Sequence, residues 1–384
     1  MNNSSIITLK KESVRNNISF LKKKIGKDVK ISSVVKANAY GHGIEIMIPL
    51  FMENGIDHFS VFDFNEALRV HNSLIDDAAI MIMGWISDSD LSKAIEYGFE
   101  FYIFNIERLN LAKKVALELN KPAKIHLEVE TGMNRSGLNM TELIKAISII
   151  NSNPEIFDIR GFCTHLAGAE SIANHLRIQN QIKLYHKLLA FAQSKSITPA
   201  FRHIANSAAT FVYPKTRLDL VRIGIMQYGF WPTTETFIHY IRNRMIKTDP
   251  LKRILGWKSY VMTLNHVKVG EFIGYGTSYL AQIDMITAVI PVGYAGGFNR
   301  SLSNKGRVII HGQRCGIIGL VNMNMIIADV SNIKDVCVGD EVVIIGQQGD
   351  LEIKVTSFSD ISDQLNYEVL SSLPEKIQRI IIEP

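Results

Sequence analysis

The stretch Ile31-Ser32-Ser33-Val34-Val35-Lys36-Ala37-Asn38-Ala39-Tyr40-Gly41-His42-Gly43 joins an apolar run to a glycine-flanked helix start, with one lysine at the junction. A short apolar run bounded by turn residues reads as a buried strand, so Lys36 stands at a strand end. An amine there, the Tyr40 hydroxyl four residues on and a helix N-terminus beside them offer an imine-forming nucleophile next to an anion site. The ligand that suits the pair is an aldehyde carrying a phosphate. A lysine at a strand end taken alone is ordinarily a solvated charge, so the rest of the chain has to supply the case.

Outward from this stretch, short apolar runs alternate with helix-period segments as far as residue 224. There are eight runs, at 29–36, 58–64, 78–84, 99–105, 123–130, 157–165, 200–206 and 218–224. Between them, Leu109, Ala112, Ala116 and Leu119, or Ile178, Ile182, Tyr185 and Leu189, recur at three- and four-residue spacing. Asp63 and Glu66 have capping-box spacing ahead of one such helix. Eight strands with interposed helices over about 200 residues predict an α/β fold that opens with a (β/α)8 TIM-like barrel. After Pro232 the runs 260–269, 286–291, 307–310, 314–319, 325–330 and 341–345 are short, β-branched and punctuated by glycine, which predicts a C-terminal mainly-β domain. The expected domains are residues 1–240 and 241–384, with the polar stretch Thr233 to Leu255 as the connection.

A chain of 384 residues with 47% hydrophobic residues can bury two cores. The formal charge of +5 is mild, and the basic residues are scattered without an aromatic-interleaved stripe, so no nucleic-acid partner is expected. Met1 to Lys10 has no apolar core of a signal peptide, and no run of eighteen apolar residues occurs, so the expectation is a cytoplasmic protein without a membrane partner. Cys163, Cys315 and Cys337 are far apart and belong to no metal-ligand spacing. They are expected to be buried reduced thiols, and no metal is expected.

Catalytic groups of such a barrel lie at the C-terminal ends of its strands, and phosphate binds after the seventh and eighth. Lys36 ends the first run, Arg135 follows the fifth, His165 ends the sixth, Ser207 follows the seventh, and Arg222 and Gly224 close the eighth. Ser207 and the backbone amides near Gly224 and Ile225 form a candidate phosphate cradle, to which Tyr40 adds a hydroxyl. With Lys36, this cradle suits pyridoxal 5'-phosphate.

The chain resembles the alanine racemases, pyridoxal-phosphate enzymes of the barrel type. The resemblance rests on residues 35–43, Thr131-Gly132-Met133, Ala205-Asn206-Ser207-Ala208-Ala209, Gly274-Tyr275-Gly276, Pro291-Val292-Gly293-Tyr294-Ala295 and Tyr367-Glu368, in this order. It implies interconversion of L- and D-alanine by two bases, the Schiff-base lysine Lys36 and a tyrosine from the partner subunit, Tyr275. His165 and Arg222 would supply the positive surroundings, with Arg222 facing the pyridine nitrogen. Arg135 would lie near the cofactor's phenolic oxygen and the substrate carboxylate, and Tyr367 would reach the phosphate. The backbone amide of Met323, from the same partner chain as Tyr275, would meet the substrate carboxylate, Tyr294 would stand at the substrate entrance, and the active form would be a homodimer with shared active sites.

Three departures stand out. Glu128 occupies a position where the family usually has a lysine, often carbamylated; a carboxylate there is expected to hold Arg135, directly or through water, without bicarbonate. Asn322 and Asn324 stand where the family commonly has serine or cysteine and aspartate, and Gly296 replaces an aspartate of the entrance. These leave room for a broader racemase acting on serine or lysine. A decarboxylase of the same plan would carry a His-x-Gly-Ser motif and a Cys-Asp pair, and a cofactor carrier would lack the second domain. Neither description matches the sequence.

Overall fold

In the computed structural model, which describes residues 4–362 and 364–383, each of the eight apolar runs holds one strand. The strands are Lys30–Val34, His58–Val61, Ala79–Ile82, Glu100–Ile103, Ala123–Glu128, Phe157–Cys163, Phe201–His203 and Leu220–Ile223. The first seven pair in parallel in chain order, and Leu220–Ile223 pairs back onto Lys30–Val34. Single hydrogen bonds cross the last seam, from Asp219 N to Arg202 O (3.1 Å) and from Arg222 N to Ala205 O (3.0 Å). The expected barrel is thus present. Its strands are buried on both faces, as strands covered by helices outside and side chains inside must be.

Short polar side chains start the helices around it. Asp63, Ser87, Asn105 and Asn139 each accept a backbone N–H of the first turn that they cap. At Asp63 only half of the expected box forms: Glu66 N donates to Asp63, while the Glu66 carboxylate takes Phe62 N at 2.9 Å instead of the cap residue. The stretch after Thr233, expected to be a bare connection, contains the helix Thr234–Ile241. Tyr240 packs on Trp231 and Phe20, and burying those rings stabilises a helix that polar composition hid.

The second unit gathers the described residues from 253 onward together with the strand Ser5–Lys10 and the turn Ala37–Gly43. Ser5–Lys10 pairs antiparallel with Leu255–Tyr260 and parallel with Gln378–Ile382, although a boundary at residue 240 assigns it to the barrel. A strand that buries Ile7 and Leu9 needs a sheet edge for its backbone, and a closed barrel offers none. The expected run 260–269 is two strands, Leu255–Tyr260 and Thr263–Val267, in different sheets. Thr263–Val267 joins Met285–Ile290 and Ile326–Asp329 in a three-stranded antiparallel sheet. Cys163 and Cys315 are buried, but Cys337 is exposed in a turn closed by its own N–H onto Asp340. No helix among the described residues is long and apolar enough to cross a membrane.

Candidate active site

Lys36 leaves the first barrel strand, and the chain then turns left-handed. Ala37, Asn38, Ala39 and Tyr40 all have φ near +50°, where a right-handed helix start was expected. Non-glycine residues in this region cost roughly 1–2 kcal/mol each, and the turn is held by Gly41 N to Ala37 O (3.0 Å) and Gly43 N to Asn38 O (2.9 Å). Gly41 has φ +75°, and a Cβ there would collide with the Leu370 carbonyl. Arg379 donates to Gly41 O from Nε (3.0 Å) and Nη2 (2.9 Å). Within the same unit the rings of Tyr40 and Tyr367 lie 6.0 Å apart. Backbone strain of this kind, here directly after Lys36, is the sort that clusters at functional sites.

In the barrel, the candidate residues Lys36, Arg135, His165, Ser207, Arg222, Gly224 and Ile225 all sit at or just beyond the C-terminal ends of strands. Arg222 is buried, and its two terminal nitrogens donate to neutral acceptors. Its Nη2 donates to Thr164 O (2.7 Å) and Ile204 O (3.1 Å), and its Nη1 to the Tyr102 hydroxyl (3.1 Å). Nη1 also lies 3.4 Å from His165 Nδ1. Burial, then Arg222, Arg135 and Lys36, hold His165 well below the usual histidine range. The imidazole is therefore neutral, with Nδ1 as the acceptor facing Arg222. Arg222 Nε is buried without a partner among the described residues. Loss of solvent around the Lys36 amine, then Arg135, bring it below the ordinary lysine value; Glu66 opposes the shift and Arg222 adds to it.

Arg135 is exposed at the mouth, on a loop that Glu130 ties together by accepting the backbone N–H groups of Gly132, Met133 and Asn134. Glu128 does not grip Arg135 directly: it hydrogen-bonds Ser136, and both Arg222 and Arg135 act on it through space. Burial raises the Glu128 pKa, and those contacts oppose the rise. Ser207 accepts Gly224 N at 3.0 Å, so the two halves of the expected cradle are joined to each other.

The second unit holds the other candidates. Tyr275 is 70% exposed on a turn in which Gly274 and Gly276 have φ of +77° and +66°. Tyr294 and Met323 are joined through backbone: Tyr294 N donates to Asn322 O (3.0 Å) and Ala295 N to Met323 O (2.9 Å). Both side chains are exposed. A Cβ at Gly293 would strike the Asn322 and Met323 carbonyls, so this approach requires glycine.

Sequence reasoning missed Tyr102, Thr164 and Gln181. Tyr102 lay in a core strand, where a phenol needs a partner for its hydroxyl, and that was the available signal. Thr164 and Gln181 gave none, because their partners are distant in sequence.

The profile of the alanine racemase N-terminal domain matches residues 9–232, and that of the alanine racemase C-terminal domain matches residues 254–381. The alanine racemase of Leptospira interrogans is 32% identical over 382 residues, covering 99% of this chain and 96% of the relative. Among solved structures, the Bacillus anthracis alanine racemase with bound L-Ala-P aligns at TM-score 0.90 and 28% identity, covering 100% of this chain and 96% of that one. The Bartonella henselae alanine racemase with covalently bound pyridoxal phosphate aligns at TM-score 0.83 and 26% identity, covering 99% and 100%.

Proposed function

The chain belongs to the alanine racemase family, and on that premise we propose that it interconverts L- and D-alanine with pyridoxal phosphate, as a cytoplasmic homodimer with shared active sites. The observation that carries the reading is the group at the barrel mouth. A lysine amine of lowered pKa, a neutral histidine and a buried arginine with one unpartnered N–H stand on three different strand ends.

These residues fit the cofactor. Arg222 Nε–H is a buried donor that a ring nitrogen would satisfy, and Ser207 with the turn at Gly224 and Ile225 would meet the phosphate. When bound, pyridoxal phosphate supplies the electron sink that acidifies the α-proton. Lys36 takes or returns that proton at Nζ, and burial with Arg135 beside it shifts its pKa down, towards the free amine that this role needs. Tyr275 of the partner subunit handles the opposite face at Oη. Arg222 does not give up its own proton, so a ring nitrogen facing it stays unprotonated. His165, held neutral, accepts from Arg222 and fixes the fork. Arg135 offers its guanidinium to the substrate carboxylate. Tyr294 and Met323 line the approach.

Tyr275, Met323 and Phe272 of the second unit, and Phe62 and Trp85 just beyond barrel strand ends, are large apolar side chains left exposed in the single chain, which supports the dimer reading. One observation favours a broader substrate range: Asn322 Oδ1 is a buried acceptor without a partner among the described residues, and a substrate hydroxyl could use it.

The test is α-proton exchange in D2O, followed by NMR, on the cofactor-loaded protein with L-alanine, L-serine and L-lysine side by side. Exchange with formation of the D-isomer is expected for alanine. Comparable rates with serine or lysine would replace this reading by a broad-specificity racemase, and no exchange with any of the three would sink it. Tyr275→Ala should keep the cofactor and lose turnover, which separates a catalyst from a carrier.

A further inference from the structure

Gln181 lies on the helix His175–Ser194, is 1% exposed, and uses both ends of its amide. Oε1 accepts Ala167 N at 2.8 Å, and Nε2 donates to His165 O at 3.0 Å and to Thr131 Oγ1 at 3.1 Å. Thr131 and Thr164 are hydroxyl to hydroxyl at 2.8 Å, and Thr164 donates to Val129 O at 2.8 Å. Since Thr164 spends its proton on Val129, Thr131 donates to Thr164 and accepts from Gln181. One side chain therefore clips two loops, the one after the fifth barrel strand that carries Arg135 and the one after the sixth that carries His165. Arg177, one helical turn before Gln181, grips Gly132 O at 2.8 and 3.2 Å and anchors the first loop alone.

We propose that Gln181 is a positioning residue that sets the spacing between Arg135 and the His165–Arg222 pair, without touching substrate or cofactor. Beyond the paired residues Glu128 and Cys163, Val129 N donates to Cys163 O at 2.8 Å and the Thr131–Thr164 hydroxyl pair joins the loops, and the Gln181 amide adds the bonds that reach Thr131 and His165 together. Losing this buried amide with its three satisfied bonds leaves Ala167 N, Thr131 and His165 O short of partners together. Tyr185 is the matched control: it sits one turn along the same helix and donates its hydroxyl to Phe162 O at 2.9 Å, bonding neither loop.

The proposal rests on the racemase reading for its kinetic arm only. The experiment compares wild type, Gln181→Met and Tyr185→Phe in the cofactor-loaded protein, by alanine kinetics and by amide hydrogen exchange of segments 131–137 and 165–170. For Gln181→Met the expected result is a loss in kcat/KM of about 10- to 100-fold, the scale of a 1 Å misplacement. Cofactor content should be unchanged and exchange faster in both segments together. Tyr185→Phe is expected within about threefold of wild type, as for loss of one hydrogen bond away from the chemistry, with both segments unchanged. Equal losses in the two variants, or undisturbed segments in Gln181→Met, overturn the proposal. Should Gln181→Met fail to fold, Gln181→Glu carries the comparison, since it keeps an acceptor for Ala167 N and sets an oxygen against the His165 carbonyl and the Thr131 hydroxyl, the two loop contacts of Nε2. If wild type does not racemise alanine, the family reading fails while hydrogen exchange still decides the clip.

Discussion

Tyr102 accepts a hydrogen bond at 3.1 Å from Arg222 Nη1 deep in the barrel, and the other hydrogen-bond partners of the guanidinium among the described residues are neutral. A buried cation held by a phenol, two carbonyls and an imidazole depends on every one of those acceptors. Tyr102→Phe leaves one donor short and is expected to lower stability by about 1–3 kcal/mol. It should also reduce kcat several-fold through a looser Arg222. Urea unfolding and alanine kinetics check this; an unchanged midpoint would show that Arg222 finds another partner.

Arg222→Glu exchanges a donor that keeps its proton for a carboxyl that can lend one to the ring nitrogen. Protonating that nitrogen strengthens the electron sink and slows return of the α-proton, so pyruvate should rise against D-alanine while racemisation drops by about 100-fold or more. An unaltered product ratio would contradict the assigned role.

Acid stability follows from four histidines. Burial, the largest cause in each, lowers His126, His165 and His203, and brings His42 down to about 4. Each is neutral when folded and titrates at the ordinary 6.5 when unfolded, so the unfolded chain binds more protons below that value. Their contribution is complete above pH 6.5 and lost as pH falls through that value towards the folded pKa. The loss deepens as pH drops further below 6.5. Glu100 adds to the same trend at lower pH. Burial opposes its charge, yet hydrogen bonds from His126 and His58 hold it well below the usual carboxylate range. Denaturant midpoints at pH 7.5 and 5.5 should differ strongly, and equal midpoints would refute the neutral assignment.

Arg222 and Arg135 favour the Glu128 carboxylate against the cost of its burial, and with that anion in place added bicarbonate should leave wild-type activity unchanged. Glu128→Gln removes the charge but keeps a partner for Ser136, and a drop of about tenfold in kcat/KM is the expected size for one lost charge interaction. Activity that climbs with bicarbonate would show that the site recruits a second anion.

Shared sites predict complementation. Lys36→Ala and Tyr275→Ala are each inactive, and each mixed dimer regains one intact site. After unfolding and remixing, about a quarter of wild-type activity should return, because half of randomly assorted dimers are mixed. No recovery would place both residues in the same chain's site.

The barrel was legible because its signal is local. Eight apolar runs separated by helix-period segments leave few topologies, and every run contains its strand. Less legible were Ser5–Lys10, whose six residues carry no mark of the distant strands they join, and Thr234–Ile241, whose burial comes from aromatic neighbours rather than from its own pattern. At Lys36 the lysine was legible and the turn after it was not. Ala37, Ala39 and Tyr40 are poor candidates for positive φ by residue type, and tertiary contacts at Gly41 hold the turn there.

By itself the sequence determined the order of strands and helices and the placing of Lys36, Arg135, His165, Ser207 and Arg222 at strand ends, because periodicity is written residue by residue. Only the tertiary structure decided that His165 is neutral, that Glu128 bonds Ser136 rather than Arg135, and that Gln181 joins two loops. Those outcomes depend on burial and on partners tens of residues away, and no local pattern encodes the field at a buried atom.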